Sequence, residues 1–279
     1  MLTILFFLTY SKSGIFASTS VTLYSAFKLH KFIILLKKLV LVVKKKVYYK
    51  SMKIHNLFPL TILNDTIEVS EKERQKLTNL VLSMHKKSTP KHNPHSAWTG
   101  DVHGHEFIFN QKGFEKLGKK ITSVIREYLA VLSINNDLVD IYFQRSWATI
   151  TKKAQNIKPH THSQSNISFA YYLLKPKNSG GIIFQSKDTQ NELSKNIFGI
   201  DKMDKGLIKE VNAYNTNEIT IDLKQDSIVV FPSKSLHSTV PNTSGEKRIS
   251  LSGDVTLMLK SSFGYEHLMP NFIHWKKFD

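Results

Sequence analysis

From Leu138 to Leu259 the apolar residues fall into short runs with the periodicity of strands, each closed by turn chemistry, and this constrains the fold more than any other feature. Asp140–Gln144, Trp147–Ile150, Ile167–Lys175, Gly181–Phe184, Glu218–Leu223, Ser227–Phe231 and Lys247–Leu259 all read as strands. Lys158-Pro159, Asn178-Ser179-Gly180-Gly181 and Asn242-Thr243-Ser244-Gly245 punctuate them with residues that set or tolerate turn dihedrals. About eight short strands with their helices gathered before them suggest a jelly-roll barrel backed by helices, not an alternating α/β sheet.

The helices are equally legible. Ser70 with Glu73 three residues later is a capping-box signature, and Leu77, Leu80, Val81 and Met84 follow at helical spacing. Phe114, Leu117, Ile121, Val124, Ile125, Tyr128 and Leu129 form a second apolar stripe. A polar loop, Lys86–Asn110, lies between them and holds His92, His95, His103 and His105. The expected domain runs over residues 52–279: helical support at 52–137, a β core at 138–260 and a C-terminal tail at 261–279.

Residues 1–51 differ in kind. They are apolar and lysine-dotted, with nine lysines and no acidic residue. The run Phe32–Val43 is short for a membrane span and is broken by Lys37-Lys38. The run Leu5–Leu8 has no charged segment before it, as a secretory signal would. Three readings stay open: an extension dispensable to the protein or spurious, a targeting or membrane-proximal segment, and a folded element. Membrane contact is expected only through this segment, and the rest of the chain is expected to be cytoplasmic.

Composition limits the chemistry. With no cysteine there are no disulfides, thiolate metal sites or cysteine nucleophiles. Of the net charge of +17, the first 51 residues supply +9, and the remainder carries 30 basic against 22 acidic residues. That is a basic domain without a nucleic-acid arm. The chain has four arginines, Arg74, Arg126, Arg145 and Arg248, so bidentate reading of phosphates or bases has few donors. Nucleic acid is therefore an unfavoured partner, and a small molecule or peptide is the expected one.

Four residues in the β half form a constellation. His160 and His162 stand at alternate positions of Pro159-His160-Thr161-His162, so in an extended chain both point to one face. His237 follows the apolar run Ile228–Phe231, and Arg248 comes later in Arg248-Ile249-Ser250. A histidine pair, a distant third histidine and then an arginine suit a metal site beside a pocket for a small carboxylate. A metal bound on one face keeps positions open for co-substrate and oxygen. A buried carboxylate needs a charge-assisted, preferably bidentate partner.

These residues sit inside a longer resemblance. Ser146-Trp147-Ala148, Pro159-His160-Thr161-His162-Ser163, Ile167–Leu173, Ser179-Gly180-Gly181-Ile182-Ile183-Phe184, Phe231-Pro232-Ser233-Lys234-Ser235-Leu236-His237 and Arg248-Ile249-Ser250 follow one another in an order similar to the 2-oxoglutarate/Fe(II) dioxygenases, prolyl-hydroxylase-like branch. In detail they most resemble the bacterial and phage group called "putative 2OG-Fe(II) oxygenases". The resemblance implies a double-stranded β-helix, a cupin-like barrel. It implies Fe(II) held by His160, His162 and His237, and 2-oxoglutarate held by Arg248 and Ser250 with help from Tyr172. Tyr171, one residue earlier, falls on the opposite face of its strand. The implied reaction is a hydroxylation that releases succinate and carbon dioxide, with ascorbate as a candidate reductant.

One departure stands out. The family's usual second ligand is a carboxylate, and here His162 occupies that position. His162 either ligates, or gives way to water or an acid such as Asp188. Three imidazoles with an open position also describe a catalytic zinc site, so a cupin-like zinc enzyme and a non-catalytic barrel binding an anionic partner remain alternatives. His92, His95, His103 and His105 read as surface residues; Trp147, Phe169 and Phe184 as core; Gly180-Gly181 as a hairpin turn. The loops Lys86–Asn110 and Gln185–Asn217 are expected to flank the pocket mouth.

Overall fold

The computed structural model describes residues 30–34, 37, 53–88, 96–186, 188, 190–264 and 267–278. It divides into two compact units, Met1–Pro59 and Leu60–Asp279. In the first, residues 30–34 and 37 are helical; the expectations for residues 1–51 otherwise fall outside the described residues, as do His92 and His95. Among the described residues no helix is long and apolar enough to cross a membrane.

The second unit contains, in order, β1 (Leu63–Thr66), α1 (Glu71–Lys87), β2 (Trp98–Thr99), α2 (Glu115–Val131), β3 (Val139–Thr151), β4 (Ile167–Leu174), β5 (Ile182–Gln185), α3 (Ile200–Asp204), β6 (Glu218–Ile221), β7 (Ser227–Pro232), β8 (Leu236–Thr239), β9 (Arg248–Leu259) and β10 (Met269–Pro270). The large sheet runs β1-β7-β4-β9-β3-β2, with β10 added beside β9; the small sheet runs β6-β5-β8. Apart from β10, the pairings are antiparallel. This is the double-stranded β-helix.

Both helices begin and pack as their sequences dictate. The Ser70 hydroxyl accepts from the Glu73 amide and satisfies one of the orphan N–H groups of α1. The α2 stripe Leu117, Ile121, Val124, Ile125, Tyr128 and Leu129 is buried. These helices cover one face of the large sheet, where Ile167, Phe169, Tyr171 and Leu173 of β4 meet Ile228 and Val230 of β7 and Ile249, Leu251 and Val255 of β9. The alternate residues Tyr172, Val229 and Phe231 face the other way and form a second cluster with Ile182 and Phe184 of the small sheet. Strand β4 is buried on both faces, so it reads as an almost unbroken apolar run.

Arg74 ties the helical layer to the strands. Its guanidinium donates to both carboxylate oxygens of Asp226, 2.5 and 2.8 Å away, and to the carbonyls of Leu173 and Val69. Tyr171 donates its hydroxyl to the same carboxylate at 2.8 Å.

Two local readings of the sequence need correction. Asp140–Gln144 and Trp147–Ile150 are one strand, β3, whose register against β9 shifts between Phe143 and Arg145; a β-bulge there looks like a strand break in sequence. Gly180-Gly181 is not a hairpin turn, because β4 and β5 belong to different sheets. It is a crossing between them, and both glycines are needed for close approach. A Cβ on Gly180 (φ +83°) would collide with the carbonyl of Val240, and one on Gly181 with that of Ile221.

Candidate metal and co-substrate site

The site lies between the two sheets, in a cavity of about 330 Å³. His160 is held there by backbone. It exchanges two 3.0 Å hydrogen bonds with His237, N–H to carbonyl in each direction, in an isolated antiparallel bridge. The His162 amide then donates to the carbonyl of Ser233 at 2.9 Å. This segment therefore runs beside β8 in extended form, and its alternate side chains enter the cavity together.

The three imidazoles converge. One ring nitrogen from each of His160, His162 and His237 lies within 4.8 Å of the others. Every Nδ1 has a partner outside the cluster: the Lys158 carbonyl at 2.8 Å for His160, the Ser235 carbonyl at 2.9 Å for His237, and Asp254 Oδ1 at 3.0 Å for His162. Each partner is an acceptor, so each Nδ1 carries the proton and Nε2 is left with its lone pair. Three imidazoles in that tautomer are the donor set a divalent transition metal requires. Burial also keeps two of them neutral: desolvation lowers the pKa of His160, and pushes that of His237 down to about 4. Asp188, the acid weighed as a substitute ligand, is exposed and outside this cluster.

The same cavity is lined by Arg248, 2 % exposed. Its guanidinium donates to the carbonyls of Ser179 (2.8 Å) and Gly180 (3.2 Å) and to Thr239 Oγ1 (3.0 Å). Among the described residues it has no carboxylate partner, and burial lowers its pKa. Tyr172 and Ser250, which face each other across β4 and β9, line the cavity beside it. The Tyr172 hydroxyl has no hydrogen-bond partner among the described residues, and burial raises its pKa. Tyr171 points into the helix-side core, as strand alternation requires.

The family model described as "Putative 2OG-Fe(II) oxygenase" matches residues 145–254, which span β3 through most of β9. The matched segment, less than half of the chain, is similar to that family. No curated protein matches the chain. Solved structures similar to the chain include the α-ketoglutarate-dependent epimerase SnoN of nogalamycin biosynthesis, at 13 % identity and TM-score 0.47, over 73 % of this chain and 82 % of that one. Another is the viral collagen prolyl hydroxylase of Paramecium bursaria Chlorella virus-1, at 15 % identity and TM-score 0.42, over 70 % and 94 %. A third is HygX of Streptomyces hygroscopicus with nickel, 2-oxoglutarate and hygromycin B bound, at 8 % identity and TM-score 0.46, over 76 % and 91 %.

Several residues of the cavity lie where the sequence alone did not put them. Trp147 lines the cavity, its ring 5.7 Å from that of His162 and beneath the Arg145 guanidinium at 5.5 Å. Arg145 in turn pairs with Asp101 at 3.2 Å. The loop Lys86–Asn110 thus reaches the cavity through Thr99 and Asp101, whereas no described residue of the insertion Gln185–Asn217 lines it. Phe184 is buried as expected, packed with Phe231 beside the His237 ring. His103 and His105 pack against Trp98, away from the metal cluster. Asp254 and Thr239 were missed. The signal for Asp254 was present in β9, where Arg248, Ser250, Ser252 and Asp254 stand at alternate positions along one face.

Proposed function

We propose that the protein is an oxygenase that hydroxylates a small-molecule or peptide substrate, with Fe(II) held by His160, His162 and His237 and 2-oxoglutarate held through its distal carboxylate by Arg248, Tyr172 and Ser250. The observation that carries this reading is Arg248: a buried guanidinium without a carboxylate partner among the described residues, in the cavity that holds three convergent imidazoles. A buried cation needs an anion, and one from a ligand satisfies it as well as one from the chain. Three imidazoles on one side would hold a divalent metal and leave room on it for a keto acid and oxygen.

Bound together, Fe(II) and 2-oxoglutarate supply oxygen activation coupled to decarboxylation of the keto acid to succinate. The chain's own residues position and shield. The backbone acceptors Lys158 and Ser235 orient two ligand rings, and Phe184 and Phe231 form a dry wall beside His237. The carbonyls of Ser179 and Gly180 fix the guanidinium before any ligand arrives. Such preorganisation is the protein's share of cofactor chemistry. Arg145, Asp101 and Thr161 make up the more exposed part of the lining, with Trp147 buried beneath Arg145, and this is where substrate is read. The test is succinate formation from 2-oxoglutarate by protein reconstituted with Fe(II) in air. Turnover that requires both metal and oxygen supports the reading; stoichiometric iron binding without any succinate, across candidate amino acids and peptides, contradicts it.

A further inference from the structure

We infer that Asp254 is a positioning residue that supplies, through His162, the negative charge missing from a site of three neutral imidazoles. The inference rests on the ligand set proposed above. Of the three ring Nδ1 atoms, two donate to neutral backbone carbonyls and one, that of His162, donates to a carboxylate. His162 is also the residue that stands where the resemblance leads one to expect an acid. The acid has moved outward by one ring. Two histidines with a carboxylate, and three histidines with a carboxylate behind one of them, bring the same single negative charge to a metal.

The surroundings of Asp254 support this. It is completely buried. Its Oδ2 accepts from Gln164 Nε2 at 2.9 Å, and its Oδ1 accepts from Ser168 Oγ at 3.2 Å as well as from His162. Two of the donors are neutral side chains and the third is the His162 ring, and among the described residues neither arginine nor lysine pairs with it. A buried carboxylate without a cation is costly. A divalent metal on Nε2 of His162, across the ring, supplies that cation. The carboxylate in return fixes the tautomer and makes the imidazole a better donor. Asp254 can hold the ring firmly because its strand is central: β9 pairs with β3 on one side and with β4 on the other, and Asp254 sits opposite both Arg145 and Ser168.

The experiment measures Co(II) affinity of the full chain by competition with a chromogenic chelator, for the wild type, Asp254→Asn, His162→Ala and the double variant. Removing an outer partner of a ligand typically weakens metal binding roughly 10- to 100-fold, and that loss is expected for Asp254→Asn. In the His162→Ala background the same substitution should cause no further loss, because Asp254 acts through that ring. Wild-type affinity in Asp254→Asn, or an equal loss with and without His162, overturns the inference while leaving the ligand set intact. No Co(II) binding by the wild type overturns the ligand set and the inference with it. Should Asp254→Asn unfold, nitrogen-15 imidazole spectra of the wild-type protein loaded with Zn(II) decide instead. The inference requires the His162 proton on Nδ1 and the metal on Nε2; the reverse arrangement overturns it.

Discussion

Tyr172 stands directly opposite Ser250 where β4 runs antiparallel to β9, and Arg248 lies two residues along the same strand. One face of one strand pair therefore carries the whole of the proposed carboxylate pocket. Tyr171, the neighbour in sequence, spends its hydroxyl on Asp226 and the Ile67 carbonyl in the opposite core.

That contrast gives a paired prediction. Tyr172→Phe removes a hydroxyl with no partner among the described residues, so thermal stability should be unchanged. A hydrogen bond to a charged group contributes about 1.5–3 kcal/mol, so 2-oxoglutarate binding should weaken roughly tenfold or more. Tyr171→Phe should do the opposite: a lower melting temperature with 2-oxoglutarate affinity retained. Calorimetric titration of Ni(II)-loaded protein and a thermal melt of each variant check both halves.

Gly180→Ala should separate the two halves of the site. The left-handed backbone (φ +83°) costs a non-glycine residue about 1–3 kcal/mol, and the added Cβ would also press on the Val240 carbonyl. The Gly180 and Ser179 carbonyls that orient Arg248 must shift to relieve it. Affinity for 2-oxoglutarate should fall while Co(II) affinity stays near the wild-type value. Equal losses of both would show that the crossing supports the whole barrel and not the arginine in particular.

The metal-free domain should lose stability on mild acidification. His237 has its folded pKa lowered by burial to about 4, against 6.5 for the ordinary group. Between those values the unfolded chain binds a proton that the folded one does not. The histidine's contribution is fully present above about pH 6.5 and is lost progressively as pH falls toward 4, by roughly 3 kcal/mol in all. Burial lowers the His160 pKa as well, which acts in the same direction. Urea melts at pH 7 and pH 4.5 should show the decline, and His237→Asn should flatten it. A wild-type slope in that variant would assign the acid sensitivity to other groups.

How far the sequence revealed this molecule depended on whether a signal was local. The capping box at Ser70 and the stripe from Leu117 to Leu129 are properties of one segment, and both helices formed where they lay. The histidines and Arg248 were legible because a site of this kind needs particular residue types in a particular order. Strand β8 was not, since Leu236, His237, Ser238 and Thr239 lack an apolar period; its inward positions belong to the site and not to the core. The Gly180-Gly181 crossing carries the same residues as a hairpin turn, and only the pairing of distant strands tells the two apart. The link from Asp254 to His162 was hidden for a similar reason, because the two residues are ninety-odd positions apart and their side chains meet only in the fold.

The central claim is that one cavity binds a metal at the three histidines and a keto acid at Arg248. The most direct measurement is anaerobic titration of the protein with Fe(II) and then 2-oxoglutarate, following the visible metal-to-ligand charge-transfer band, with Arg248→Ala in parallel. The account predicts a band in the wild type that saturates at one equivalent of each, and a much higher 2-oxoglutarate concentration for half-saturation in the variant. A protein that binds Fe(II) stoichiometrically yet shows no band, or a variant that titrates like the wild type, would contradict it.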